Sequence, residues 1–202
     1  MSMRDRIKVV ATELLIMYGV RGLRFSEIAT RLGITRANIH HHFGTKKNLV
    51  EEVIEDYVRD TLEEIRAIWS EPDRSYQDKA KLMMGFNRQR YARYNPGTKA
   101  GRPWSLVSRM RLEIDQLGDR PRKTLRAFTT AIEACIYQAV EAAQAKGELT
   151  ADAPVKDIAI QLIAIVDSAG SITQDCGSFE RLERLYTAHI SIIRHAYGAR
   201  EA

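Results

Sequence analysis

The chain has 202 residues, 45% of them hydrophobic and 28% charged, with a formal net charge of +5. That is enough for one sizeable core, or for a small domain fused to a larger one, in an ordinary globular composition. No apolar run approaches the roughly 20 residues of a membrane helix and MSMRDRIKVV is no signal peptide, so a cytoplasmic protein without membrane partners is expected.

Ile7, Val10, Ala11, Leu14, Leu15 and Tyr18 recur at steps of three and four, which predicts a first helix that Gly19 can end. Phe25, Ile28, Ala29 and Leu32 continue the apolar face on a short second helix, and Gly33 supplies a sharp turn. Ile34, Ile39 and Phe43 give the inner side of a third helix. Its outer side carries Thr35, Arg36, Ala37, Asn38 and His40, a mixture of small, hydrogen-bonding and cationic groups suited to base edges and phosphates. The segment Phe25 to Leu49 therefore reads as a DNA-binding helix-turn-helix.

The division of charge agrees with this reading. Residues 1 to 48 hold nine Lys and Arg against three Asp and Glu, a net of +6, whereas residues 49 to 202 hold 22 against 23, a net of −1. A polyanionic partner is drawn to the first quarter of the chain.

A long helix is expected from Lys46 through Trp69, bracing the three-helix unit, with Glu71-Pro72-Asp73 ending it. Further helices are predicted over residues 75 to 94, Pro103 to Leu117 and residues 122 to 145, the last on the stripe Leu125, Phe128, Ile132, Cys135, Ile136, Ala139 and Ala143. The final two, at about 154 to 174 and 178 to 197, differ in character. Ile158 to Val166 is apolar almost all round, and Leu182, Leu185, His189, Ile192 and Ala196 line the last helix, so a partner subunit is the expected cover and a homodimer the expected state. No alternating strand pattern occurs. The fold class is all-α, with about nine helices: a helix-turn-helix domain at residues 1 to 48 and a larger regulatory and dimerisation domain at residues 49 to 202.

Cys135 and Cys176 lie in no metal-ligand spacing and suggest no disulfide framework. The run His40-His41-His42 cannot close on one metal ion, because successive helical residues point about 100° apart. Catalysis is not expected: there is no Gly-x-Ser-x-Gly, no phosphate-cradling glycine loop and only two histidines outside the first unit, and nothing calls for a cofactor.

Residues 7 to 50 resemble the tetracycline-repressor-like (TetR) transcriptional regulators. The resemblance is carried by Gly19, Ile28-Ala29, Gly33-Ile34-Thr35, His41-His42-Phe43, Lys46 and Leu49; beyond them the likeness is one of architecture, with Gly147 to Pro154 leading into the dimerisation helices. Two positions depart from the pattern: His40 stands where a tyrosine usually approaches the phosphate backbone, and Arg24 where a Ser or Thr often begins the second helix. The resemblance implies a homodimer that presents two recognition helices to a pseudo-palindromic double-stranded operator. Thr35, Arg36, Ala37 and Asn38 are then the expected base readers, with Arg36 suited to guanine and Asn38 to adenine, and Arg24, Ser26, His40, His41 and Lys46 the expected backbone contacts. It also implies a repressor released by an unidentified small molecule, held among Met83, Phe86, Asn87, Tyr91, Trp104, Met110, Phe128, Ile132, Tyr137 and Asp167. The alternative is a helical dimeric interaction protein without specific DNA binding.

Overall fold

The computed structural model describes residues 1–97 and 101–199. Among them are nine α-helices: α1 (Met3–Gly22), α2 (Phe25–Leu32), α3 (Arg36–Phe43), α4 (Lys46–Ser70), α5 (Tyr76–Tyr94), α6 (Leu106–Leu112), α7 (Asp119–Ala145), α8 (Val155–Cys176) and α9 (Glu180–Tyr197). A single 3-10 turn, Ile114–Gln116, follows α6. The only β pairing among the described residues is an isolated bridge between Leu149 and Gly198.

The chain forms two compact units, residues 1–60 with 103–127 and residues 61–102 with 128–202. In the first, Ile7, Leu14 and Leu15 of α1, Ile28 of α2, Ile39 and Phe43 of α3, and Leu49 and Ile54 of α4 are buried, as the period-3.6 pattern requires. Two ion pairs bind α1 to α4 with matching four-residue steps: Arg4 to Glu52 at 2.6 Å and Lys8 to Asp56 at 2.5 Å. At this exposure each adds at most about 1 kcal/mol, so their main effect is to fix the register of the two helices. Burial alone raises the Asp56 carboxyl, but bonds from Lys8 and Arg59 outweigh it and hold it below the usual carboxylate value.

Two predicted boundaries change. Gly19 kinks α1 and does not end it: its backbone leaves the helical region (φ 69°, ψ −173°), and one more turn runs to Gly22. The helix expected from Pro103 to Leu117 is broken, because Ser105 caps α6 and Glu113 takes a non-helical conformation. That break lets the Glu113 carboxylate accept the Val20 backbone N–H at 2.7 Å and pair with Arg109 at 2.9 Å, so α6 is tied to the kink in α1.

In the second unit the core contains Ile65, Trp69, Met83, Ile132, Ile136, Val140, Ile158 and Leu162. It also contains polar groups. Tyr76 and His189 share a hydrogen bond of 2.6 Å, and Asn87 Nδ2 donates to the Tyr186 hydroxyl at 3.0 Å. Burial pushes both phenols up and the His189 imidazole down to about 4, so the cluster is uncharged near neutral pH. Among the described residues no helix is long and apolar enough to cross a membrane.

Candidate nucleic-acid interface

The turn between α2 and α3 is built by Gly33, whose left-handed backbone (φ 65°, ψ 34°) returns the Ile34 N–H to the Ala29 carbonyl at 3.0 Å. An added Cβ would meet nothing within 4 Å, so conformation and not space selects glycine. Thr35 then starts α3: its hydroxyl oxygen accepts the Asn38 N–H at 3.2 Å. The predicted base reader Thr35 is thus also the helix cap, and its own hydroxyl proton stays free for a partner.

Ile39 and Phe43 turn inward, while Thr35, Arg36, Ala37, His40 and His41 are exposed along the outer side of α3. Asn38 differs. Its Oδ1 is buried without a hydrogen-bond partner, so a bidentate adenine contact, which needs both ends of the amide, requires this side chain to turn outward.

The end of α3 is held by residues the sequence did not single out. Arg4 lies over the Phe43 ring at 4.3 Å from its centroid and donates to the His42 carbonyl while pairing with Glu52. Thr45 begins α4 by accepting the Asn48 N–H at 3.1 Å, and Asn48 Nδ2 donates to the Phe43 carbonyl at 3.0 Å. Their sequence signal is the four-residue spacing of Arg4 and Lys8 opposite that of Glu52 and Asp56. His42 and Phe43 therefore serve the unit's packing, and His40 and His41 remain on its surface.

The His40 ring sits edge-on to Phe25, with centroids 4.9 Å apart and planes inclined by 68°. Its Nδ1 is 2.9 Å from the Gly44 carbonyl oxygen. Arg24 and Ser26 are exposed at the start of α2, which has no side-chain cap; Ser26 does not take over that task. Lys46, the first residue of α4, is half-buried, and its pKa is lowered by burial and then by the neighbouring Arg24, with Glu113 opposing. Two cations thus stand close together, Arg24 at the N-terminus of α2, which has no side-chain cap, and Lys46 at that of α4, an arrangement that favours an anion. Beside Lys46 a cleft of about 290 Å³ is lined by Val20, Val50, Leu117 and Pro121.

The expected effector residues divide between the units. Trp104 and Met110 belong to the first, where both are buried. Met83, Phe86, Asn87 and Tyr91 lie on α5, Phe128, Ile132 and Tyr137 on α7 and Asp167 on α8, all in the second. Met83, Asn87, Tyr91, Phe128 and Ile132 are buried, while Phe86, Tyr137 and Asp167 are half-buried. Asn87 is bonded to Tyr186, and the Tyr91 ring lies 5.6 Å from that of Phe179. Sequence periodicity missed Tyr76 and Tyr186, and it placed His189 on the stripe a partner subunit would cover, whereas His189 is buried within the chain against Tyr76.

The profile of bacterial regulatory proteins of the tetR family matches residues 7–53, and that of the tetracyclin repressor-like C-terminal domain matches residues 106–189. A curated relative, the HTH-type transcriptional regulator QacR of Staphylococcus aureus, is 32% identical over 95 residues, which are 47% of this chain and 44% of QacR, so the matched part spans less than half of that relative. The fold is that of the reduced form of NemR from E. coli, with TM-score 0.79 and 18% identity over 98% of each chain. A TetR transcriptional regulator from Chloroflexus aurantiacus gives TM-score 0.78 and 21% identity over 98% of this chain and 96% of that one. With both of its characteristic segments matched in order, and with the helix-turn-helix and the helical C-terminal region observed, the chain belongs to the TetR family of bacterial regulatory proteins.

Proposed function

We propose that this protein is a ligand-responsive transcriptional regulator, a repressor that leaves its operator when a small molecule binds. The observation that carries the reading is the exposed, cationic outer side of α3, capped by Thr35 and flanked by Arg24 and Lys46, on an otherwise well-packed three-helix unit. Arg36 reads guanine, Ala37 and Thr35 meet neighbouring base edges, and Asn38 reads adenine after its amide turns outward. Arg24, Ser26, His40, His41 and Lys46 contact the phosphate backbone.

The active form is a homodimer joined through α8 and α9. Ile160 (51% exposed), Leu185 (37%) and Ile192 (62%) lie on these two helices and support this, since large apolar groups exposed together are what a partner subunit covers. The effector binds in the second unit, against Met83, Phe86, Asn87 and Tyr91 of α5, Phe128, Ile132 and Tyr137 of α7, and Asp167 of α8. The continuous helix α4 carries Lys46 at its start and contributes its last ten residues to the second unit, which makes it the lever. A coupling of about 1 to 3 kcal/mol weakens operator binding roughly 5- to 150-fold, and operator must weaken effector binding equally.

Measurement of DNA binding against salt for two variants tests the division of roles. Lys46→Ala weakens all sequences alike and lowers the salt slope by about 1 per subunit, whereas Arg36→Ala relaxes specificity at one base pair by about 1 to 3 kcal/mol. An unchanged slope for Lys46→Ala refutes its phosphate role.

A further inference from the structure

We infer that His40 grips the DNA backbone only as an imidazolium, so that DNA binding takes up a proton at this residue. The inference rests on the DNA-binding reading above. It starts from one contact, Nδ1 at 2.9 Å from the Gly44 carbonyl oxygen. A carbonyl oxygen can only accept, so the contact requires the proton on Nδ1. Neutral imidazole has one N–H, and with that proton on Nδ1 the Nε2 atom presents a lone pair. A phosphate oxygen presents lone pairs too. The neutral ring therefore has nothing to donate to the backbone, and only a second proton turns Nε2 into a charge-assisted donor.

The local backbone keeps the ring in this state. Gly44 has φ 68°, and its N–H returns to the His40 carbonyl at 2.8 Å, so the acceptor facing Nδ1 belongs to a closed turn. The Phe25 ring also packs against it, edge-on with centroids 4.9 Å apart. The charged and titratable groups on the elements around it are Arg36, His41 and His42 on α3, Arg24 just before α2, Glu27 and Arg31 on α2, and Lys46 and Lys47 at the start of α4. Glu27 is paired with Arg31 at 2.9 Å. The neighbourhood is thus mainly cationic, and the counter-charge for an imidazolium comes from DNA phosphate. The complex then holds more protons than its separated parts, and association tightens as pH falls. A tyrosine at this position, with a hydroxyl that is protonated throughout the neutral range, would donate without this dependence.

The test is titration calorimetry of the full chain with a random-sequence duplex of about 30 base pairs at low salt, where phosphate contacts dominate. Runs near pH 7 in buffers of different ionisation enthalpy give the number of protons taken up. The wild type should take up a measurable fraction of a proton per subunit and bind several-fold more tightly at pH 6 than at pH 8 for each subunit engaged. His40→Tyr keeps an aromatic ring against Phe25 and should bind with neither proton uptake nor this pH dependence. Duplex binding by the wild type without proton uptake overturns the inference and leaves the DNA-binding reading standing. Uptake that persists in His40→Tyr, or that disappears in His41→Gln, also overturns it. No binding of the duplex by the wild type overturns the DNA-binding reading itself.

Discussion

Replacing Gly19 by alanine should destabilise the first unit far more than the removal of one flexible residue suggests. At φ 69° and ψ −173° the backbone lies in a region that residues with a Cβ almost never enter, at a cost of about 1 to 3 kcal/mol. A Cβ built there falls 1.8 Å from Glu113 Oε1 and 2.5 Å from its Cδ, so the carboxylate must leave. It cannot leave freely, since Oε2 accepts the Val20 N–H at 2.7 Å and Oε1 pairs with Arg109 at 2.9 Å. Losing a hydrogen bond to a charged acceptor costs about 1.5 to 3 kcal/mol, which brings the total for Gly19→Ala to about 2.5 to 6 kcal/mol. Urea denaturation followed by circular dichroism, extrapolated linearly to water, measures this. Glu113→Ala alone should cost about 1.5 to 3 kcal/mol, and the double variant should fall short of the sum, because the first substitution already breaks the bond that the second removes. A loss below about 1 kcal/mol for Gly19→Ala, or strict additivity, refutes this account of the kink.

Two further outcomes follow from the second unit. His189 has its pKa depressed to about 4, so the unfolded chain binds a proton near pH 6.5 that the folded chain refuses; stability from this group is complete above pH 6.5 and falls as pH drops toward 4, by about 2 kcal/mol between pH 7 and pH 5. Denaturation of the wild type and His189→Gln at the two pH values should show that part of the slope only in the wild type, and equal slopes would contradict it. Ile192→Glu places a charge on an exposed face of α9, where it disturbs no core; sedimentation should show a dimer for the wild type and a monomer for the variant, and a monomeric wild type would remove the proposed interface.

The sequence carried the helical elements well because each presents a regular apolar face, and Gly33 could be assigned from the turn alone. It failed at Gly19 and over residues 103–117 for a common reason. A kink and an interrupted helix cost backbone hydrogen bonds, and both persist because Glu113 links residues 93 positions apart, which no local pattern records. The outer side of α3 was legible as a mixture of residue types, yet the state of each side chain was not. Thr35 is committed as a cap, the Asn38 carbonyl oxygen is buried, and the His40 proton is assigned by a carbonyl four residues on. The polar cluster of Tyr76, Asn87, Tyr186 and His189 was half seen: Asn87 was named as an effector contact and His189 on the stripe of the last helix, but their partners are 99 and 113 positions away.

The central claim is sequence-specific recognition of duplex DNA by α3, and selection of bound fragments from the source genome by the purified protein, repeated across a range of salt concentrations, tests it most directly. The account predicts recovery of a small set of fragments sharing a pseudo-palindrome, with half-sites centred one helical turn, about 34 Å, or a multiple of it apart, and loss of that enrichment in Arg36→Ala. Recovery of no specific fragment at any salt would contradict it and leave a helical dimeric interaction protein in its place.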